Sequence, residues 1–317
     1  MSRKSLTLFI ILSFFAGLKG VAQADISMAT HWYNRANYNP ASIVRTEYLY
    51  FFSNIRQQWT GVDGAPKVFN VQLSEYVHSL RSAFGLSLVG EKIGITQVYN
   101  PMFTYAYRIS NEQNWSLALG LSAGVYNLLS NGSQFEAETP IDPAIPYGKD
   151  MYSQPDANVG AEFQSNNFIV ALSSTHILTM NKSSSLYLNS NHIYGSVIYK
   201  SCTPEMFNYH IGFQAVKGYN LTVYEGNLSL RFKRETLLQS GPREIFDLGL
   251  TYRSTRQMTI LFALNVSPNL RVGYAYDQSF ISGYNANSTH ELMLEYRIPS
   301  RIASTRGQFA TQEYWYH

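Results

Sequence analysis

Histidines and serines are the side chains of this sequence that could supply a nucleophile and its base. The candidate bases are His176, His192 and His210, and serines are frequent throughout the chain. No serine lies in a nucleophile-elbow motif; His192 and His210 fall on separate predicted strands, and His176 follows a third. The sequence also lacks the spaced His and Cys clusters that bind metals and the glycine-rich loop that binds phosphates. We therefore expect no enzymatic activity, no metal and no cofactor.

Eight charged residues share a spacing that predicts a common environment. Each alternates with apolar neighbours along a predicted strand, so its side chain points away from the apolar face. Because their signs are mixed, we expect ion pairs that fill an interior rather than a selective path for a substrate or ion, although the second interpretation stays open. These candidate interior charges are Arg108, Asp247, Arg253, Arg271, Asp277, Glu291, Glu295 and Arg297.

The segment RQQWTGVDGAP, residues 56–66, places an arginine and a tryptophan three positions apart before a glycine turn. Side chains three apart on a strand face opposite sides, so Arg56 is predicted to face the interior if Trp59 belongs to an outward aromatic belt. Gly61 and Gly64 allow a tight reversal, and Pro66 is expected to start the next strand, where a missing donor is tolerated. A binding role and a purely structural role for this turn both stay open.

The composition limits the class of protein that positions these residues. Aromatic residues make up 15% of the 317 residues and charged residues only 14%, against roughly 25% charged in a typical soluble chain. The net charge of +3 is small and scattered, which excludes a nucleic-acid footprint. Cys202 is the only cysteine, so no internal disulfide can form.

Period-2 alternation recurs along most of the chain and predicts an all-β protein. In WSLALGLSAGVY, Trp115, Leu117, Leu119 and Leu121 alternate with small residues. One run, 221–232, changes phase, which predicts a bulge at Glu225-Gly226 or a hidden turn. The predicted strands are 46–59, 66–74, 83–90, 101–109, 115–126, 157–163, 167–173, 191–200, 207–216, 221–232, 244–253, 257–266, 269–276 and 289–298.

Residues 1–24 have the pattern of a secretory signal peptide, with a basic start, an apolar stretch and an A-x-A site. Beyond them no apolar run approaches the ~18 residues of a membrane-spanning helix. Long gaps at 127–156, 174–190 and 277–288 fall on one side of the strand order and short gaps on the other, which favours a transmembrane antiparallel β-barrel of about fourteen strands over a soluble sandwich. We predict a barrel at 46–298, a possible lumen plug at 25–45 and a tail at 299–317.

Several motifs resemble the PorP/SprF family of outer-membrane proteins, and the resemblance runs through nearly the whole chain after the signal. It rests on short segments named by their first residue: NPA at Asn39, RQQWTGVDGAP at Arg56, YAYRIS at Tyr105, LALGLSAGVY at Leu117, PDANVGAEF at Pro155, GLTYRS at Gly249, LRVGYAYD at Leu270 and HELMLEYR at His290.

The resemblance implies an accessory of the type IX secretion and gliding machinery of Bacteroidetes. Such a protein would lie in the outer membrane, contact its lipids and other secretion components, and help to export or anchor a secreted surface protein such as an adhesin. A diffusion or hydrophobic-solute channel is the alternative that a barrel permits equally well. The loop 127–156 holds apolar residues, including Leu128, Leu129 and Tyr152, and is predicted to meet a partner or to fold back as a lid.

Overall fold

The fold is an all-β closed barrel in a computed structural model that describes residues 28–44, 48–110, 115–132, 148–179, 191–201, 206–218, 221–234, 243–280 and 288–299. The predicted signal peptide, Cys202 and the predicted tail after Pro299 lie outside these ranges. No helix in the described part of the chain is long and apolar enough to cross a membrane.

Fourteen antiparallel strands, each paired with its neighbour in the sequence, form the barrel, and the last strand pairs with the first to close it. The strands are β1 (Tyr48–Gln57), β2 (Lys67–Val77), β3 (Ser82–Ile93), β4 (Thr96–Ser110), β5 (Trp115–Asn131), β6 (Lys149–Ser165), β7 (Phe168–Thr175), β8 (His192–Lys200), β9 (Phe207–Lys217), β10 (Thr222–Arg234), β11 (Arg243–Arg253), β12 (Gln257–Asn265), β13 (Leu270–Ser279) and β14 (Ser288–Pro299).

Alternation along each strand sorts the side chains into an outer and an inner set. On β12, Ile260 and Phe262 are exposed on the outside, whereas Thr259, Leu261 and Ala263 are buried inside. Outward apolar residues meet lipid and inward polar residues meet the lumen, which is the pattern of an outer-membrane barrel. Closure gives every strand a partner on both sides, although β6 pairs with β7 only over Val159–Gln164 and, among the described strands, its outer part pairs with β5 alone.

The largest error in the predicted strand ends concerns the loop 127–156. β5 continues to Asn131 and β6 begins at Lys149, so Leu128 and Tyr152 are cross-strand partners rather than loop residues. Leu128 is buried inside the barrel. The loop between these strands is therefore 132–148, and its residues 133–147 are not described. Apolar residues occur here on both faces, Leu128 inside and Met151 outside, so the alternation on which the prediction depended is lost.

The predicted bulge at Glu225-Gly226 is also wrong. β10 pairs with β9 in an unbroken register from Thr222 to Phe232, and the only shift against β11 lies between Phe232 and Lys233. The phase change arises because apolar Val223 faces inward near the start of the strand, where Glu225 and Asn227 follow on the same face.

Turn lengths differ between the two ends of the barrel. The end that holds the start of β1 and the end of β14 has short connections such as 78–81, 166–167 and 266–269, although 235–242 is longer. The opposite end has the longer connections 58–66, 132–148, 176–191 and 280–287, together with the short turns 94–95, 218–221 and 254–256. Short turns face the periplasm in outer-membrane barrels, so we assign the long connections to the outer side.

Candidate functional site

Residues 28–44 lie inside the barrel, and we call them the plug segment. They form three short 3-10 turns, Ala29–Trp32, Arg35–Asn37 and Pro40–Ile43, and most of their side chains are buried. Asn34 and Asn39 precede the second and third turns, and each side-chain oxygen accepts a hydrogen bond from the backbone two residues ahead. In this Asx geometry the asparagine side chain provides a hydrogen-bond acceptor for a backbone N–H group in a segment that has no α-helix or strand.

Contacts from the plug segment reach the wall at four strands distributed around the barrel, β2, β6, β10 and β14. The backbone N–H of Ala29 donates to Glu291 on β14 at 2.8 Å, and the Trp32 indole donates to Glu225 on β10. Glu162 on β6 pairs with Arg35, and Gln72 on β2 accepts from Asn34 at 2.5 Å. The segment is therefore held from all sides of the lumen.

Glu291 is the carboxylate at which the plug segment meets the closing strands. Thr30 binds it through both its N–H and its hydroxyl, and Asn54 of β1 donates to it at 2.8 Å. Arg56 adds an ion pair at 3.0 Å and also pairs with Asp277 of β13. Each of these groups is buried, so every charge has a partner where water is scarce.

A neighbouring carboxylate, Glu225, links the plug segment to further charged residues of the wall. It pairs with Arg253 of β11, and His31 Nε2 lies 3.0 Å from its Oε1. Arg253 Nη1 also lies 3.7 Å from Asp277. We call these contacts the upper network; it runs across β1, β10, β11, β13 and β14 and includes four plug residues, Ala29, Thr30, His31 and Trp32.

A second charged network lies nearer the periplasmic end of the same wall. Arg231 donates to Asp247 at 2.7 Å and to Glu244 at 2.8 Å, and Arg271 also pairs with Asp247. Arg297 donates to Glu295 at 2.6 Å. Tyr33 of the plug segment covers this network, with its ring centroid 4.4 Å from the guanidinium carbon of Arg271.

Glycines on the inner face make room for the plug segment. A Cβ atom at Gly212 would lie 2.2 Å from the Trp32 ring, and one at Gly120 would lie 2.3 Å from the backbone of Ala41. At Gly160 it would lie 2.0 Å from the side chain of Asn39. Since real Cβ atoms do not approach so closely, these glycines are part of the plug's seat.

One family of proteins matches this barrel. The model of the type IX secretion system membrane protein PorP/SprF family matches residues 20–296, nearly the whole chain. The chain belongs to the PorP/SprF family. It is therefore an outer-membrane protein of the type IX secretion system class, and no curated protein sequence matches it.

Solved structures similar to this PorP/SprF chain share its barrel fold. The TodX deltaS2S3 mutant monoaromatic hydrocarbon channel aligns with a TM-score of 0.52 and 8% identity, over 84% of this chain and 94% of the other. The Ralstonia pickettii toluene transporter TbuX aligns with a TM-score of 0.50 and 10% identity, over 88% and 96%. Omp33 of Acinetobacter baumannii has a TM-score of 0.48 and 10% identity, over 80% and 99%. At these identities the likeness concerns the fold alone.

The structure places seven of the eight candidate interior charges of the PorP/SprF chain in the two networks. Arg108 is the exception. It lies on the inner face of β4 near the periplasmic end, with its guanidinium carbon 6.0 Å from the centroid of the Tyr76 ring. None of the ion pairs among the described residues includes Arg108, so the expectation that it pairs with a carboxylate is not met.

In the RQQWTGVDGAP segment, Arg56 faces the lumen but Trp59 does not lie on a strand. β1 ends at Gln57, and Trp59 has a φ of 45° in the following turn, where 42% of it is exposed. The predicted end of this strand at residue 59 was therefore wrong by two residues, and Trp59 does not share the outward face of β1. Gly61 and Gly64 have φ values of 92° and 72°. Pro66 lies just before β2, and its carbonyl accepts from the N–H of Gln58 at 2.9 Å.

The candidate bases do not form a nucleophilic site in the described residues. His176 Nδ1 lies 2.7 Å from Asp156, and Asn100 also donates to that carboxylate at 3.0 Å. His210 Nε2 lies 2.6 Å from the amide oxygen of Asn227. In the described ranges no three or more His, Cys, Asp or Glu side chains are grouped to hold a metal.

Sequence reasoning missed the carboxylates that bind the plug segment on β6 and β10. Glu162 alternates with Ala161 and Phe163 on a predicted strand, which was a usable signal for an inward charge. Glu225 was not identified as an inward charge because a bulge was predicted at its position in the strand. Arg35 carries no strand pattern at all, and only its place in the plug segment reveals its role.

Proposed function

We propose that this protein is a non-enzymatic outer-membrane accessory of type IX secretion that supports the export or surface anchoring of a particular cargo protein. Membership of the PorP/SprF family supports the secretion role. The observation that carries the rest of the proposal is the plug segment, which is bonded to strands on all sides of the lumen. A barrel filled in this way offers a rigid body in the membrane rather than a wide aqueous path.

The interior charges act structurally in this proposal. Arginines and carboxylates are paired with one another or with the plug segment, so they hold the wall and the plug together. A selective pore would instead present an unpaired ring of one sign to the passing ion. Partners in the secretion machinery and the cargo would then bind the outer loops or the periplasmic turns.

The second candidate function is a channel for hydrophobic solutes. It is favoured by an apolar inner cluster near the outer end, formed by Val98, Tyr126 and Leu128. The fold likeness to the two hydrocarbon transporters is compatible with it but concerns architecture only. In this alternative the plug segment would have to move to open a path.

Planar bilayer recording separates the two functions. We expect purified full-length protein to give no steady conductance and a variant lacking residues 28–44 to give large, steady openings. Steady conductance from the intact protein would contradict the accessory role and favour the channel. In cells, loss of the protein should remove one exported protein from the surface while its synthesis continues.

A further inference from the structure

Two lysines stand side by side on the lipid-facing surface at the outer rim of the barrel. Lys67 is the first residue of β2, and its direct cross-strand partner is Lys92 of β3. Both side chains are exposed, and both belong to the outward phase of their strands. Directly opposed residues on neighbouring strands have Cβ atoms about 4.5–5.5 Å apart, so the two ammonium groups repel each other.

No acidic side chain in the described parts of the chain forms an ion pair with either lysine. Glu91, which precedes Lys92, faces the lumen because it lies on the opposite phase. The other outward neighbours in the same row are the amides Gln57 and Gln97. Asp63 lies on the nearby loop 58–66 and is not within ion-pair distance of the lysines. Two adjacent positive charges therefore face the membrane edge without a counter-ion among the residues that the structure describes.

The next outward row places these lysines at the level of lipid headgroups. It contains Phe69 and Tyr99, which flank Gly90, and their ring centroids lie 6.4 Å apart. Aromatic rings on the outside of a barrel mark the boundary between headgroups and hydrocarbon. The lysines lie one row beyond this boundary, about 7 Å further toward the outer side.

Below the aromatic row, the same three strands form an apolar groove of about 420 Å³. Pro101, which lacks an N–H, lines this groove on β4, and the β4–β5 pairing is interrupted between Tyr99 and Met102. The groove is open toward the lipid and is lined by Val71, Leu73, Leu86, Leu88, Pro101 and Phe103. It begins about 13 Å from the lysines along the strand, which is compatible with a headgroup above and an acyl chain below.

We propose that Lys67 and Lys92 bind the phosphate of an anionic lipid in the outer leaflet, whose acyl chain lies in the groove on β2–β4. The phosphate neutralises two ammonium groups that otherwise repel each other, and the groove holds the chain at the depth where hydrocarbon begins. This site faces away from the lumen, so it does not depend on the proposed role in secretion.

Native mass spectrometry of the full chain in detergent, titrated with lipid A as the phosphorylated probe, tests this proposal. Replacing both lysines with glutamine should raise the Kd for lipid A by about thirtyfold, since each basic residue near an anionic lipid lowers the Kd by about fivefold. Lys217→Gln is the matched control, because Lys217 is an exposed outward lysine at the same rim on β9 and is not beside the groove. Phosphatidylcholine binding should not differ between the variants, and excess inorganic phosphate should not displace lipid A.

A groove variant tests the acyl-chain half of the site. Val71→Trp should fill the groove and raise the Kd for lipid A by about tenfold. This is the change expected if about two methylene groups of the acyl chain lose their contact with the groove. Val197→Trp, on the outer face of β8, is its control and should bind as the unchanged protein does. Equal affinity for lipid A in the unchanged protein and in the double lysine variant would overturn the proposal. Loss of a co-purified protein or of a dimer with unchanged lipid binding would instead identify a protein interface, and the lipid site would be rejected.

Lys92→Glu keeps the test independent of folding. It places opposite charges on directly paired residues, so the variant should fold at least as stably as the unchanged protein. Its affinity for lipid A should nevertheless fall by at least thirtyfold. A folded Lys92→Glu variant that retains lipid A would also overturn the proposal.

Discussion

Arg35 and Glu162 form a bidentate ion pair between the plug segment and the barrel wall, with Nε 3.1 Å from Oε2 and Nη2 3.0 Å from Oε1. Both side chains are almost fully buried, and Ser42 and Gln164 bind the same carboxylate. Such parallel hydrogen bonds fix the direction of the guanidinium as well as its position. The pair therefore orients the middle of the plug segment against β6.

Removing the carboxylate should release the plug segment. Glu162→Gln leaves the Arg35 guanidinium buried without its counter-ion, which costs about 3–5 kcal/mol when one partner of a buried pair is lost. We expect a cysteine at Ala36, in a Cys202→Ser background, to react with a maleimide at least about a hundredfold faster. Asp63→Asn on the outer loop is the neutral control. The double variant Arg35→Met, Glu162→Met should label more slowly than Glu162→Gln, because no unpaired buried charge remains. A Glu162→Gln variant that labels no faster than the unchanged protein would argue against a role for the pair.

A side chain at Gly212 should displace Trp32. The Cβ atom would overlap the indole ring, so Gly212→Val should lower the free energy of unfolding by about 1–3 kcal/mol. Gel mobility of unboiled samples across a urea series measures this change. Gly226→Val is the matched control, because a Cβ atom at Gly226 meets nothing within 4 Å. Trp32→Ala should rescue Gly212→Val, and a lack of rescue would show that the strain lies elsewhere.

The buried tyrosines of the plug segment predict weaker plug docking in strong base. Burial raises the pKa of Tyr38 and of Tyr33 above the ordinary value of 10.0. The docked state therefore holds protons that the released state loses, so these tyrosines do not alter docking below about pH 10 and weaken it as the pH rises further. The urea midpoint of the mobility shift should fall above pH 10. The urea midpoint of the Tyr33→Phe, Tyr38→Phe variant should fall less over the same pH range. A pH profile identical to that of the unchanged protein would contradict the prediction.

The outer loop between β5 and β6 can be removed without disturbing the strands. The N–H of Gly132 donates to the carbonyl of Gly148 at 2.9 Å, so the two strands already meet at this point. Replacing residues 133–147 by Asn-Gly provides a two-residue hairpin turn. We expect the variant to insert and to remain heat-modifiable while one protein is lost from the cell surface. A surface proteome unchanged by this replacement would direct the search for the cargo site to the 176–191 or 280–287 connections.

The barrel could be predicted from the sequence because the alternation of apolar and polar residues is repeated in every strand. Residues such as Leu248 and Leu250, outside, and Asp247 and Gly249, inside, obey a local rule that needs no knowledge of the partner strand. The end of β1 could not be predicted from this alternation. Trp59 continues the chemical pattern of the strand, but its left-handed backbone belongs to the turn.

The plug segment shows where local patterns end. Its polar, turn-rich sequence indicated a possible plug, but its contacts with β2, β6, β10 and β14 join residues far apart in the chain. The bond between Trp32 and Glu225 spans 193 positions. No periodicity marks such a pair, since an irregular segment has no repeating face. Seven charges of the two wall networks were predicted, whereas Glu162, Glu225 and the plug residues that bind them were not.

Glu291 links the filling of the barrel to its closure. The plug segment precedes β1 and is made first, whereas β14 is made last, and both meet at this carboxylate. Asn54 of β1 also donates to Thr30 at 3.3 Å, so the first strand and the last hold the same plug residue from the two sides of their junction. If β1 and β14 paired without the plug segment in place, Glu291 would lack three of its hydrogen-bond donors: the N–H groups of Ala29 and Thr30 and the hydroxyl of Thr30. We therefore expect the pairing of β1 with β14 to be more favourable when residues 28–44 already lie in the lumen and supply these hydrogen bonds.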